Sequence, residues 1–179
     1  MSKTYSEWRR PVANPPKTNR PASEPESERT VVITRRYQAP ARLLFEAWSK
    51  PAHLMKWFGP VGWPLTLCEV DFRVGGRFRF AMTAPDGQQN TPFGGTYLEI
   101  VPDRRIQFDN GFLVPGAERM VMTVSFEESR DASGKVMTLM THHTLFGSIA
   151  MYRTHTKMGF EAGTNSALDQ LADVVAAMA

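Results

Sequence analysis

Alternating apolar and polar positions recur between residues 31 and 146 and predict about seven β-strands. The first segment, TVVITRRYQ, places Val31, Ile33 and Tyr37 on one face. Turn signals separate six further segments with this alternation, namely LTLCEVDF, RFRFAM, GTYLEIV, RIQFDN, RMVMTVSFEES and KVMTLMTHHTLF. Because short turns join consecutive segments, the pattern predicts an antiparallel meander.

Helical periodicity replaces this alternation before the second strand and after the last one. APARLLFEAW and SKPAHLMKWF predict two short helices, with Pro40 and Pro51 where a first-turn proline is tolerated and a Gly-Pro pair after the second. SIAMYRTHTKMGFEAG also has a helical pattern, which Gly159 and Gly163 are expected to break. TNSALDQLADVVAAMA predicts a long amphipathic helix, and its apolar stripe consists of Leu168, Leu171, Val174, Val175 and Met178.

This order of elements predicts an α+β fold. A doubly wound sheet is excluded because the crossover helices between strands are missing. We expect a curved antiparallel sheet of about seven strands wrapped around the long C-terminal helix, with two short helices after the first strand. Two layers of this kind leave a cavity between sheet and helix.

Residues 1–30 differ in composition from the rest of the chain. They contain few aliphatic residues and many prolines, so they cannot bury enough apolar surface to offset their ordering entropy. We predict a flexible Pro-rich tail at 1–30 followed by one domain at 31–179. The alternative is an arm that packs Tyr5 and Trp8 on a partner subunit of a homodimer.

Charge and cysteine content narrow the class of protein. The net charge is +3 and no block of Lys and Arg occurs, which argues against a nucleic-acid partner. No apolar run approaches the roughly 20 residues of a membrane span. The N-terminus has no apolar signal-peptide core and the single Cys68 excludes an internal disulfide, so we expect a cytoplasmic protein.

The sequence offers no familiar catalytic or metal-binding motif. Cys68 shares a strand face with apolar residues, and no Gly-x-Ser-x-Gly elbow is present. The neighbouring His142 and His143 point to opposite faces of a strand and cannot easily bind one metal. We therefore expect no metal, no cofactor and no catalytic residue.

The expected pairing of the last two strands predicts that two polar residues, Thr141 and His143, face the cavity. If Phe126 lies opposite Met137 across the RDASGK turn, His143 and Thr141 face the helix, opposite two methionines. Their polar atoms then need partners in an apolar wall, which a ligand or water supplies. The alternative is that His143 is a core histidine with protein partners.

The orientation of Tyr97 and Glu99 stays open at this stage. Counting across the PDG turn places Phe78 opposite Tyr97 and turns Tyr97 and Glu99 inward. The more apolar Leu98 and Ile100 favour the opposite orientation, and a bulge at the neighbouring Gly-Gly pair would reconcile the two. An inward Glu99 would be a polar anchor, whereas an outward one would be a surface charge.

Four strings resemble a known family. TRRYQAPARLLFEAWSKPAHLMKWFGP, CEVDFRVGGRFRF, GGTYLEIVPDRRIQF and GFEAGTNSALDQLADVV resemble, in this order, bacterial proteins named for the activator of heat-shock protein 90 ATPase. That family belongs to the START-like (SRPBCC, Bet v 1-like) helix-grip superfamily. The resemblance implies a cavity with Trp57 and Phe58 near its mouth. Many members have Trp at the positions of Phe58 and Thr164, so the shape of the cavity is expected to differ here.

The candidate cavity residues combine aromatic, methionine, polar and small side chains. They are Trp48, Trp57, Phe58, Phe78, Phe80, Met82, Tyr97, Glu99, Met120, Met122, Thr141, His143, Met158, Gly163 and Ala167. Methionine adapts to irregular spaces, which suits a plastic pocket and also a loosely packed core.

The leading functional hypothesis is non-enzymatic binding of a small hydrophobic or amphipathic ligand. One alternative is an enzyme of the cyclase or dehydratase type that uses Tyr97, Glu99 or His143 as acid or base. A second, implied by the family name, is a module that modulates a chaperone ATPase.

Overall fold

Seven strands and four helices make up the computed structural model, which describes residues 24–179. The strands are β1 Thr30–Tyr37, β2 Leu65–Val70, β3 Arg77–Met82, β4 Phe93–Val101, β5 Arg105–Phe112, β6 Met120–Arg130 and β7 Val136–Leu145. The helices are α1 Ala41–Ser49, α2 Pro51–Trp57, α3 Ile149–Lys157 and α4 Phe160–Met178. All strand pairs are antiparallel, in the spatial order β1-β7-β6-β5-β4-β3-β2.

This architecture confirms the predicted helix-grip arrangement. The two short helices follow β1, and α4 packs against α1, α2 and β1. The expected break at Gly159 is present, with φ at +88°, but α4 continues through Gly163. A Cβ at Gly163 would lie 3.4 Å from Cγ of Pro60, so α4 is in van der Waals range of the loop after α2 at this position.

Side-chain hydrogen bonds join the helices to the sheet. The Tyr37 hydroxyl donates to the Leu168 carbonyl at 3.1 Å, which joins β1 to α4, and burial raises the pKa of this phenol. The backbone N–H of Ala41 at the start of α1 donates to a carboxylate oxygen of Glu128 on β6 at 2.9 Å. These bonds hold both helices over the concave face of the sheet.

The register of β6 and β7 contradicts the predicted pairing. Phe126 lies opposite Met140 and not Met137, a shift of three positions. An odd shift turns every side chain of the strand to the other face. His142 consequently faces the core, where it is 2% exposed, and the prediction that His143 does so is wrong.

Thr141 is also on the outer face, contrary to prediction, and pairs with the exposed Thr34. The cause is the length of the connection between β6 and β7. The prediction assumed a tight turn, but five residues separate the end of β6 at Arg130 from the start of β7 at Val136. Asp131 organises this loop, because its Oδ1 accepts hydrogen bonds from the backbone of Ser133 and Lys135.

A bulge in β4 settles the orientation of Tyr97 and Glu99. Tyr97 lies opposite Phe108 and Glu99 lies opposite Gln107, so Leu98 is the extra residue. Tyr97 points inward and is 4% exposed. Glu99 does not point inward and forms an ion pair with Arg105 at 2.9 Å, so it is not a cavity anchor.

Residues 24–29 join the body through polar contacts, whereas Tyr5 and Trp8 lie outside the described residues. The backbone N–H of Ile149 donates to a carboxylate oxygen of Glu24 at 2.8 Å, and the buried Arg29 donates to the Phe146 carbonyl. Within residues 24–179, no helix has the length and apolarity needed to cross a membrane.

Candidate ligand-binding cavity

A cavity of about 290 Å³ lies between the concave face of the sheet and the C-terminal helices. Side chains of α1, α2, α3, α4 and strands β3 to β7 line it, together with the loop that follows α2. Eight predicted residues line this space: Trp48, Trp57, Phe58, Met82, Met122, Met158, Gly163 and Ala167.

The other predicted residues lie elsewhere. Phe78, Phe80 and Tyr97 surround a second void of only about 10 Å³, which shares Trp48, Phe58 and Phe108 with the main cavity. Three more, Glu99, Thr141 and His143, line neither space, and neither does the buried Met120.

Eleven lining residues were not among the candidates, although the family resemblance had linked one of them, Thr164, to the shape of the cavity. They are Gly59, Pro60, Phe93, Phe108, Asn110, His142, His155, Gly159, Phe160, Thr164 and Leu168. Two of them could have been predicted from the sequence. Phe108 and Asn110 follow Ile106 at every second position of β5, so the three side chains lie on the same face of the strand.

Aromatic rings form the deep wall of the cavity. The rings of Trp48 and His142 are stacked, with centroids 5.8 Å apart and planes 29° apart. Trp57 meets the edge of Trp48 at 4.7 Å, and its Nε1 donates to the Ala47 carbonyl at 3.0 Å. Trp57 therefore belongs both to the core and to the cavity wall.

His142 is a neutral base in this wall. Burial, together with the smaller effect of the neighbouring His143, lowers the pKa of the imidazole from its usual 6.5 to about 4. Its Nδ1 has no hydrogen-bond partner among residues 24–179. The Nε1 of Trp48 likewise has none in the described part of the chain.

Asn110 supplies a second polar group to the wall. Its Nδ2 donates to Sδ of Met122 at 3.5 Å, and a thioether sulfur is a weak acceptor. Its Oδ1 has no partner within the described residues. Either assignment of the amide nitrogen and oxygen leaves one polar atom of Asn110 without a protein partner.

The loop after α2 and the start of α4 form the mouth. Gln170 Nε2 donates to the Gly59 carbonyl at 2.8 Å, and the Val61 N–H donates to Oγ of Ser166 at 3.0 Å. Gly59 has φ at +111°, and a Cβ there would lie 2.4 Å from the Trp63 carbonyl oxygen. Met158 lines the cavity yet is 78% exposed, which places it at the opening.

Carboxylate, ammonium and guanidinium groups are missing from the described part of this wall. None of the lining residues that the structure describes is Lys, Arg, Asp or Glu. Across residues 24–179, no group of three or more His, Cys, Asp or Glu side chains has the geometry to hold a metal ion. Cys68 lies outside the cavity, and burial raises the pKa of its thiol to about 12.

The fold and the cavity define a helix-grip protein. A sequence model of the family described as "Activator of Hsp90 ATPase homolog 1-like protein" matches residues 38–176. The chain belongs to this family. Comparison with curated proteins gives no match.

Solved structures from three bacteria illustrate the similarity. A protein from Nitrosomonas europaea has a TM-score of 0.71 at 26% identity, over 85% of this chain and 97% of that one. One from Arthrobacter aurescens has a TM-score of 0.74 at 25% identity, over 86% and 90%. One from Chromobacterium violaceum has a TM-score of 0.64 at 28% identity, over 82% and 97%.

Proposed function

We propose that the protein binds a small hydrophobic or amphipathic molecule in this cavity and does not convert it chemically. The observation that carries the proposal is an apolar space of about 290 Å³ between sheet and α4. Ligand pockets start at about 300 Å³ and are lined mainly by apolar and aromatic side chains with a few polar groups. An occupant would restore dispersion contacts that the lining atoms lack while the space is empty.

The cyclase or dehydratase alternative has less support from the geometry. Of its three acid–base candidates, Glu99 and His143 do not line the cavity, and Tyr97 lines only the small second void. Burial also raises the pKa of Tyr97, which disfavours its ionised form. No contact described above favours a chaperone-modulating role.

A pair of alanines on α4 allows a controlled test. Ala167→Phe would place a ring in the cavity, whereas Ala172→Phe would place the same ring on the exposed face of the same helix. The ligand panel would contain fatty acids, polyketides and aromatic compounds, and binding would be measured by thermal shift and by the fluorescence of Trp48 and Trp57.

At a free ligand concentration a hundred times Kd, one bound ligand adds about 2.7 kcal/mol of stability. For a chain of this size we expect a rise in Tm of about 5–10 °C in the wild type and in Ala172→Phe. Ala167→Phe should show no such rise. The proposal fails if no compound stabilises the wild type, or if Ala167→Phe responds like the wild type.

The cytoplasm is the location that we propose for this activity. The single cysteine is compatible with a reducing compartment, since no internal disulfide is needed for this fold. Residues 24–30 belong to the binding domain, because Arg29 is buried and Thr30 begins β1, so we keep the proposal of a separate preceding segment for residues 1–23 alone. Removal of residues 1–23 would then leave ligand affinity unchanged.

A further inference from the structure

An apolar ligand would leave the polar atoms of the cavity wall without partners. The imidazole of His142 lines the cavity, is 2% exposed, and its Nδ1 bonds to nothing within residues 24–179. Buried polar side chains in native proteins are nearly always paired, so an unpaired one in a cavity wall points to a partner that the ligand supplies.

The chemistry of the wall restricts that partner to an uncharged group. A neutral imidazole presents one N–H donor and one acceptor nitrogen, a pair that matches a hydroxyl or an amide. A carboxylate would enter a space whose described lining contains no Lys or Arg. Burying an ion without a counter-charge is strongly unfavourable, so an anion is excluded.

The volume of the cavity sets the size of the ligand. An engineered apolar cavity of about 150 Å³ is known to accommodate benzene. The present cavity, at about 290 Å³, is about twice as large and suits two fused rings. The stacked Trp48 and His142 rings offer a flat aromatic surface to such a molecule.

The unpaired polar atoms of the wall fall into two places, at His142 with Trp48 and at Asn110, that lie too far apart for one ligand of this size to contact both. The sheet places Asn110 opposite Met120 and His142 opposite Val124, four positions apart along β6. At the rise of a strand this separation is about 13 Å, which exceeds the length of two fused rings. His142 is the more deeply buried of the two groups, and its ring stacks on Trp48 at the deep end.

We propose that His142 selects an uncharged ligand of about two rings that carries a hydroxyl or amide group, and that the cavity rejects carboxylates. This proposal rests on the proposed function, because it names the ligand class for the same site. His142 acts as a specificity-determining residue and Asn110 does not take part in this selection.

The test compares three probes that share one ring system. Isothermal titration calorimetry at pH 7 would measure the affinities of 2-naphthol, 2-methylnaphthalene and 2-naphthoate for the full chain. We expect 2-naphthoate to bind the wild type at least a hundredfold more weakly than 2-naphthol. In His142→Leu, the affinity ratio of 2-naphthol to 2-methylnaphthalene should fall about five- to tenfold, the loss expected for one neutral hydrogen bond.

Three further variants complete the test. His143→Leu, on the outer face of β7, is the matched control and should keep the wild-type ratio, and Asn110→Leu tests the other polar group of the wall. His142→Phe retains a ring beside Trp48 and replaces His142→Leu if that variant does not fold. The proposal is overturned if the ratio is unchanged in the His142 variant, if Asn110→Leu lowers it instead, or if 2-naphthoate binds as tightly as 2-naphthol. Binding of 2-methylnaphthalene without selectivity would overturn this inference alone, whereas failure of all three probes would count against the proposed function as well.

Discussion

Protonation of His142 should make the stability of the protein depend on pH. The folded chain holds this imidazole with a pKa of about 4, and its usual value is 6.5. Below pH 6.5 the imidazole of His142 binds a proton in the unfolded chain but stays neutral in the folded chain down to about pH 4. The free energy of unfolding therefore falls as the pH falls. The two pKa values give a loss of about 2 kcal/mol at pH 5 and about 3 kcal/mol at pH 4, relative to pH 8.

Urea unfolding at several pH values would measure this loss. His142→Leu has no imidazole at this position and should not show this pH-dependent loss. Relative to pH 8, the wild type should lose about 2 kcal/mol more than the variant at pH 5 and about 3 kcal/mol more at pH 4. His143→Leu is the matched control, since this half-exposed neighbour only adds a minor electrostatic contribution to the shift. The reasoning is refuted if the wild type and His142→Leu lose stability in parallel as the pH is lowered.

Two further predictions concern the corner after α2, and urea unfolding measures both. Trp57→Ala should cost about 3–5 kcal/mol, because Trp57 is 2% exposed and its Nε1 is hydrogen-bonded, whereas Trp63→Ala, at a 40% exposed position, should cost less than about 1 kcal/mol. Equal losses in the two variants would contradict the assignment of Trp57 to the core. Gly59→Ala should cost at least twice as much as Gly87→Ala, since both have positive φ but only a Cβ at Gly59 would collide with backbone. A similar cost at both glycines would show that the loop relaxes around the added methyl group.

The fold was predictable because both periodicities are strong in this chain. Strands with one buried face must alternate, and each of the seven predicted segments corresponds to a strand of the sheet. The two short helices were predictable because Pro40 directly precedes α1, Pro51 begins α2, and Leu44 and Leu54 belong to apolar faces that the helices bury.

The site was less predictable because it depends on registers that local pattern does not determine. The length of the connection after Arg130 decides whether His142 or His143 faces the cavity, and a single extra residue, Leu98, separates Tyr97 from Glu99. Asn110 is hard to recognise for another reason, because strand alternation predicts which face it lies on but not that a polar side chain on this face lines a cavity. Distant elements also meet at the mouth, where α4 approaches the Gly59 loop.

The strand order has a consequence for how the protein is made. β1 leaves the ribosome among the first described elements, but its only partner in the sheet is β7, more than a hundred residues later. Closing so long a loop is slow, and β1 is prone to aggregate with other chains as long as β7 has not paired with it. The lining residues of α4 are synthesised later still. The nascent chain therefore has no closed cavity until α4 has been synthesised, and a ligand of this cavity would stabilise only a chain that already includes this helix.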